Sequence, residues 1–100
     1  MLFKKLNAYI VSYAMQGKEA NKNDIKSIVI VAYSKKEAGD IFIRWARAKR
    51  LYKRICACIT QKARKTKQNS HMITKDFYER QNAEVTKMES WLKNGGKADA

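Results

Sequence analysis

Cys56, Cys58 and His71 are the cysteines and the histidine of this chain, and they are its candidates for metal or nucleophilic chemistry. A zinc ion takes four ligands in a tetrahedral arrangement, so these three would need a carboxylate at no recognisable spacing. A nucleophilic cysteine needs a neighbouring base, whereas the apolar neighbours Ile55 and Ile59 favour the neutral thiol. We therefore predict free thiols, no metal, no cofactor and no enzymatic activity.

Cationic side chains are the second group that could do chemistry, through the binding of phosphate. The chain carries 22 Lys and Arg against 9 Asp and Glu, a net charge of +13, and residues 44–75 hold 11 basic residues and no acidic one. A surface of one sign costs self-repulsion, so it indicates an anionic partner. The predicted binding residues are Arg44, Arg47, Arg50, Lys53, Arg54, Lys62, Arg64, Lys65 and Lys67.

The basic stretch is compatible with more than one function. The first is a non-enzymatic module that binds nucleic acid, RNA or DNA, or a ribonucleoprotein through residues 44–75. The second is an inhibitor whose Arg and Trp side chains bind a host complex and block its access to nucleic acid. The third is a small basic ribonuclease toxin that uses His71 without a metal. A solvated basic face with no specific partner is the competing structural interpretation.

Length and composition limit the class of protein. One hundred residues suffice for one domain with one core, predicted here as residues 1–96 with a frayed tail at 97–100. With 45% hydrophobic residues the chain is too apolar for a disordered basic tail. No apolar run approaches the roughly 18 residues that span a bilayer, so we expect a cytoplasmic protein without a membrane partner.

Alternating and β-branched residues predict three strands. The first covers residues 6–15, where Tyr9 and Tyr13 are expected in the core, with a base-stacking platform as the alternative. The second covers 27–33 and is expected to be the most buried strand, because it is apolar on both faces. The third covers 54–64, with Ile55, Ala57, Ile59 and Ala63 on one side and a polar, basic side opposite.

Two helices complete the pattern. Ser34 and Glu37 form a capping box for a first helix that ends near Arg50, and Thr74 is the N-cap of a second that stops at residues 94–96. The apolar arc of the first helix contains Ala38, Ile41, Phe42, Trp45, Ala48 and Tyr52. Its opposite face contains Lys36, Asp40, Arg44, Arg47 and Arg50. The fold class is thus α+β in the order β-β-α-β-α, with two helices on a three-stranded sheet and the other sheet face exposed, open to a homodimer partner.

The first helix begins in the segment Ala-Tyr-Ser-Lys-Lys-Glu-Ala, and the chain has no proline and many Lys and Asn residues. In this architecture it resembles the small accessory proteins of phages and other mobile elements, among them the anti-CRISPR proteins. The resemblance covers the style of the fold and carries over no individual residue. It implies a phage-encoded inhibitor acting on a host surveillance ribonucleoprotein in the host cytoplasm.

Overall fold

The computed structural model describes residues 5–16 and 23–94. Its order confirms the predicted α+β class and the β-β-α-β-α sequence. Most of the predicted loop between the first two strands, and the predicted tail at 97–100, lie outside the described residues. The elements are β1 (Asn7–Gln16), β2 (Asn23–Ala32), α1 (Lys35–Ala48), the 3-10 turn η1 (Tyr52–Arg54), β3 (Ile55–Lys62), the 3-10 turn η2 (Ser70–Met72) and α2 (Lys75–Lys93).

β1 is the central strand of the sheet, and the strand order is β2-β1-β3 with both pairings antiparallel. The prediction that β2 is the most buried strand is wrong. β2 is an edge strand whose Ile25 is 77% exposed, whereas Tyr9, Val11, Tyr13 and Met15 of β1 are all buried. A central strand has neighbours on both sides as well as helices above it, so its burial exceeds that of an apolar edge strand. Burial also excludes Tyr9 and Tyr13 as a base-stacking platform.

The core lies between one sheet face, called here the helix-covered face, and α1. Ala38, Phe42 and Ala46 of α1 are buried against the odd-numbered side chains of β1. The Tyr13 ring lies 5.2 Å from the Phe42 ring and 6.0 Å from the half-buried Trp45 ring, between centroids. Tilted aromatic contacts of this kind favour one arrangement of helix on sheet.

The other sheet face, the open face, carries exposed aliphatic side chains, although Ala8 and Val31 at one end of it are fully buried. Pairing places Ile10 opposite Val29 and Ser12 opposite Ile59, and the three aliphatic side chains of these pairs are exposed. A bulge interrupts β3, because Ala14 pairs with Ala57 while Met15 pairs with Ile55. The prediction that Ile55, Ala57 and Ile59 share a face is therefore wrong. The extra residue turns Ile55 to the core and leaves the other two on the open face.

Helix caps form largely where the sequence predicts them. The Ser34 hydroxyl accepts a hydrogen bond from the Glu37 N–H at 3.0 Å. The Glu37 carboxylate reaches one residue further back than a capping box requires and accepts from the Tyr33 N–H at 2.7 Å. Its second oxygen accepts from the Tyr78 hydroxyl at 2.7 Å, and this hydrogen bond raises the pKa of Tyr78. The Thr74 hydroxyl caps α2 by accepting from the Phe77 N–H, as predicted.

α2 is attached to the sheet mainly through polar contacts. Val85 is its one buried residue among those described. The Gln81 side-chain amide accepts from the Val31 N–H and donates to the Val31 carbonyl, both at 2.8 Å. At the Val31 peptide, this amide therefore makes the two hydrogen bonds that a neighbouring strand would make at the β2 edge.

Glu37 joins the start of α1, the end of β2 and α2, so its removal should weaken the whole domain. We expect Glu37→Ala to lower the free energy of unfolding by about 1–3 kcal/mol, because two partly buried donors lose their acceptor. Chemical denaturation at neutral pH measures the change. Asp40→Ala, an exposed carboxylate on the same helix, is the matched control, and an equal loss in both variants would contradict this role.

Candidate nucleic-acid interface

α1 ends in a left-handed stop formed by an arginine. Arg50 has φ 61°, its N–H donates to the Arg47 carbonyl at 3.0 Å, and the Leu51 N–H donates to the Ala46 carbonyl at 2.8 Å. These two bonds are the Schellman pattern, which glycine usually completes at the left-handed position. The helix thus ends near Arg50 as predicted, through a residue type that is strained in this conformation.

A first basic cluster, called the helix-end cluster, follows from this stop and consists of Arg47, Arg50 and Lys53 around Tyr52. These four residues line a shallow cavity of about 420 Å³. The guanidinium carbon of Arg47 lies 4.8 Å from the centre of the Tyr52 ring, a cation–π contact that fixes its direction. The next residue, Arg54, is exposed at the end of η1.

Tyr52 is missing from the predicted site. The prediction extended the apolar arc of α1 to this residue, but the helix ends before it and Tyr52 is 45% exposed in η1. The end of the helix rests on two backbone bonds around an arginine, and the sequence has no glycine there to signal it.

A second basic cluster, the loop cluster, lies at the other end of β3 and consists of Lys62, Arg64 and Lys65 beside Asn7. With Ala63 they line a cavity of about 400 Å³. The three cations are among the residues predicted from the sequence, whereas Asn7 is not, because only the pairing of β1 with β3 brings it close to them.

The turn after the loop cluster is held by Asn69. Its side-chain oxygen accepts from the Thr66 N–H at 2.8 Å, and its side-chain nitrogen donates to the Arg64 carbonyl at 2.9 Å. The Ser70 N–H closes the turn by donating to the Thr66 carbonyl. Lys67 is exposed within this turn. The bonds fix the backbone that carries the last two predicted binding residues, an arrangement that reduces the ordering cost of binding.

Arg44 belongs to neither cluster. Its guanidinium forms two bonds with the Glu89 carboxylate of α2, at 2.6 and 3.2 Å, and a third with the Thr86 hydroxyl. The hydrogen bonds to Arg44 lower the pKa of Glu89, and the same bonds raise the pKa of Arg44. The expectation that no acid neutralises residues 44–75 is therefore wrong at this position, because Glu89 is 45 residues away in sequence.

The two clusters are separated by the length of β3. Lys53 and Lys62 are nine residues apart, which corresponds to about 25–30 Å along an extended chain. Between them runs the outer edge of the sheet. The Ala63 N–H donates inward to the Ala8 carbonyl, so the alternate peptides of β3, at Cys58, Thr60 and Lys62, face outward.

The residues proposed for other chemistry are not assembled into a site. Cys56 and Cys58 are exposed free thiols on β3, and His71 is exposed in η2. Within residues 5–16 and 23–94, no three His, Cys, Asp or Glu side chains come together in a group that could hold a metal ion. None of the helices described is long and apolar enough to cross a membrane.

Comparison with protein-family models, with curated proteins and with solved structures finds no match to this chain. The resemblance to phage accessory proteins accordingly stays a prediction.

The strain at Arg50 gives a first test of the site. Arg50→Gly should raise the free energy of unfolding by about 0.5–1 kcal/mol, because glycine adopts positive φ without a Cβ clash. Thermal and chemical unfolding measure the change. Lys49→Gly removes the same charge at φ −81° and should lower stability by up to about 1 kcal/mol. Lower stability in Arg50→Gly would show that the arginine side chain stabilises the stop.

The Arg44–Glu89 pair predicts a pH dependence. Because the folded-state pKa of Glu89 is lowered, its stabilising effect is present above the unfolded-state pKa and is lost as pH falls through the folded value. Glu89→Gln should therefore cost less than about 1 kcal/mol at pH 7, since the pair is partly exposed. The difference in the free energy of unfolding between wild type and Glu89→Gln should vanish in acid, below the folded-state pKa of Glu89. Denaturant unfolding at the two pH values measures it, and Glu79→Gln, an exposed carboxylate on α2, is the control.

Proposed function

We propose that this chain is a non-enzymatic, cytoplasmic module that binds the phosphate backbone of nucleic acid, free or within a ribonucleoprotein. The observation that carries the proposal is the absence of any acidic side chain from the described lining of both basic cavities. Each cavity is lined by three cations: Arg47, Arg50 and Lys53 in the helix-end cluster, and Lys62, Arg64 and Lys65 in the loop cluster. Such groups release counterions from a polyanion on binding, and this release supplies most of the affinity.

The geometry favours contacts with phosphates over contacts with bases. Tyr9 and Tyr13 are buried and cannot stack on bases, and Arg47 covers one face of the 45% exposed Tyr52 ring. Along a duplex axis a span of about 25 Å carries roughly 15 phosphate charges, so one duplex can reach both clusters at once. We infer that binding depends on backbone shape and charge, with little selection among base sequences.

The strained Arg50 gives independent support. Glycine would satisfy the same backbone stop without strain, so the arginine side chain costs stability at this position. Its guanidinium is one of the three cations of the helix-end cluster. We attribute the presence of arginine at this strained position to phosphate binding by that charge. Arg50→Gly should therefore weaken binding while it stabilises the fold, a combination that a purely structural role does not produce.

A salt titration tests the proposal directly. Wild type should bind a random-sequence duplex with an affinity that falls steeply as salt rises, by about 0.9 in log K per log unit of salt for each phosphate neutralised. The variant Arg64→Ala/Lys65→Ala/Lys67→Ala should bind more weakly, with a slope reduced by about 2–3. Fluorescence anisotropy over a series of salt concentrations gives both quantities.

The matched control removes the same number of charges elsewhere. Lys35→Ala/Lys87→Ala/Lys93→Ala alters exposed residues of α1 and α2 that line neither basic cavity. Its slope should stay close to that of wild type, because only local contacts release counterions. Equal losses in the two triple variants would show that net charge alone drives binding, and a flat salt dependence in wild type would contradict the proposal outright.

A second candidate function, an inhibitor that binds the protein part of a host ribonucleoprotein, is favoured by one separate observation. Ala48, Met88 and Trp91 line a groove of about 530 Å³ at the carboxyl ends of the two helices, together with charged residues. Trp91 is 49% exposed, and tryptophan is a common binding hot spot. For this function, capture of a defence complex should survive nuclease treatment and be lost in Trp91→Ala. Capture that disappears with nuclease would favour the nucleic-acid function instead.

A further inference from the structure

Within residues 5–16 and 23–94, the outer edge of β2 carries backbone groups without a hydrogen-bond partner, and they follow a fixed pattern. The Val31 N–H and carbonyl point away from β1, since both bond to Gln81. In an antiparallel strand every second residue points its peptide groups the same way, so those of Ile25, Ser27 and Val29 also face outward. The 3.2 Å contact between the Ser12 and Ser27 hydroxyls agrees, because side chains approach closely where a pair exchanges no backbone bonds.

This edge lacks the features that keep edge strands apart. Its pairing with β1 is regular over ten residues, and it contains no proline and no bulge. Lys26 is the only charged residue in the segment 25–29. The β3 edge differs, since the bulge at Cys56 interrupts it and cations lie at both ends. Long, regular, apolar edges are templates for a further strand.

We propose that the β2 edge pairs with the β2 edge of a second copy of this chain, antiparallel about a two-fold axis at Ser27, to form a continuous six-stranded sheet. Such an axis pairs Ser27 with its own copy and Ile25 with Val29, in a register that allows about six mutual backbone hydrogen bonds. Lys26 then lies opposite Ile28 of the second copy, so no two like charges meet directly.

The Gln81 amide limits the length of this contact. It already occupies the outward side of the Val31 peptide, where the register would bring Asn23 of the second copy. The ladder between the copies therefore ends at the two Ile25–Val29 pairs, with Asn23 of each copy outside it. The contact leaves both β3 edges at the outside of the sheet, about 24 Å apart. Each dimer would therefore present both basic clusters twice.

Ser27 allows a selective test, because its N–H faces away from β1. Ser27→Pro removes that donor from the contact without removing a β1–β2 hydrogen bond, and edge strands accept proline. Ser27→Ala removes the hydroxyl and keeps the N–H, so it is the matched control. Ser27→Lys is a second disrupting variant, which places like charges opposite each other on the axis.

Sedimentation equilibrium from about 10 μM to about 1 mM protein measures the outcome. Wild type and Ser27→Ala should shift with concentration towards twice the 11.6 kDa of one chain, while Ser27→Pro and Ser27→Lys stay at the single-chain mass. Circular dichroism and thermal unfolding check that the variants are folded.

Two results would overturn the proposal. One is wild type that stays monomeric over the whole concentration range. The other is a dimer that survives in folded Ser27→Lys and is lost in Ile59→Lys, because Ile59 is 62% exposed on the open face and lies at the opposite side of the sheet. That pattern would assign the dimer to packing between open faces.

Discussion

The central position of β1 is the constraint from which the other features follow. Because β1 pairs on both sides, its alternating side chains divide the molecule into a core under the helices and an open apolar face. The same pairing leaves β2 and β3 as the two edges, and these differ in chemistry. The β2 edge is apolar and regular, whereas β3 is interrupted by a bulge and has a basic cluster at each end.

Local signals in the sequence predicted much of the fold. The alternation around Tyr9 and Tyr13 gave the core side of β1, and the hydroxyls of Ser34 and Thr74 gave both helix starts. Each of these depends on residues within a few positions of one another. The apolar composition of β2 predicted a central strand wrongly, because composition indicates how well a strand can be buried and not which neighbouring strands it pairs with.

Contacts distant in sequence could not be predicted in this way. No residue close to Arg44 in sequence indicates that Arg44 pairs with Glu89. Likewise, no residue close to Val31 indicates that the Gln81 amide bonds its peptide. The candidate site shows the same division. Its cations were evident from composition, but their separation into two clusters depends on the length of β3, and the place of Tyr52 depends on the left-handed residue that ends α1.

The attachment of α2 has a consequence for local stability. Val85 is its one buried residue among those described, and Tyr78 packs against the core while partly exposed. The helix is also held by hydrogen bonds between Gln81 and Val31, from Tyr78 to Glu37, and from Arg44 to Glu89. Elements with few buried contacts open before the core does. α2 is therefore the part of the domain whose amide hydrogens should exchange through partial unfolding, well before those of β1, and each such opening exposes the last peptide of the β2 edge to solvent.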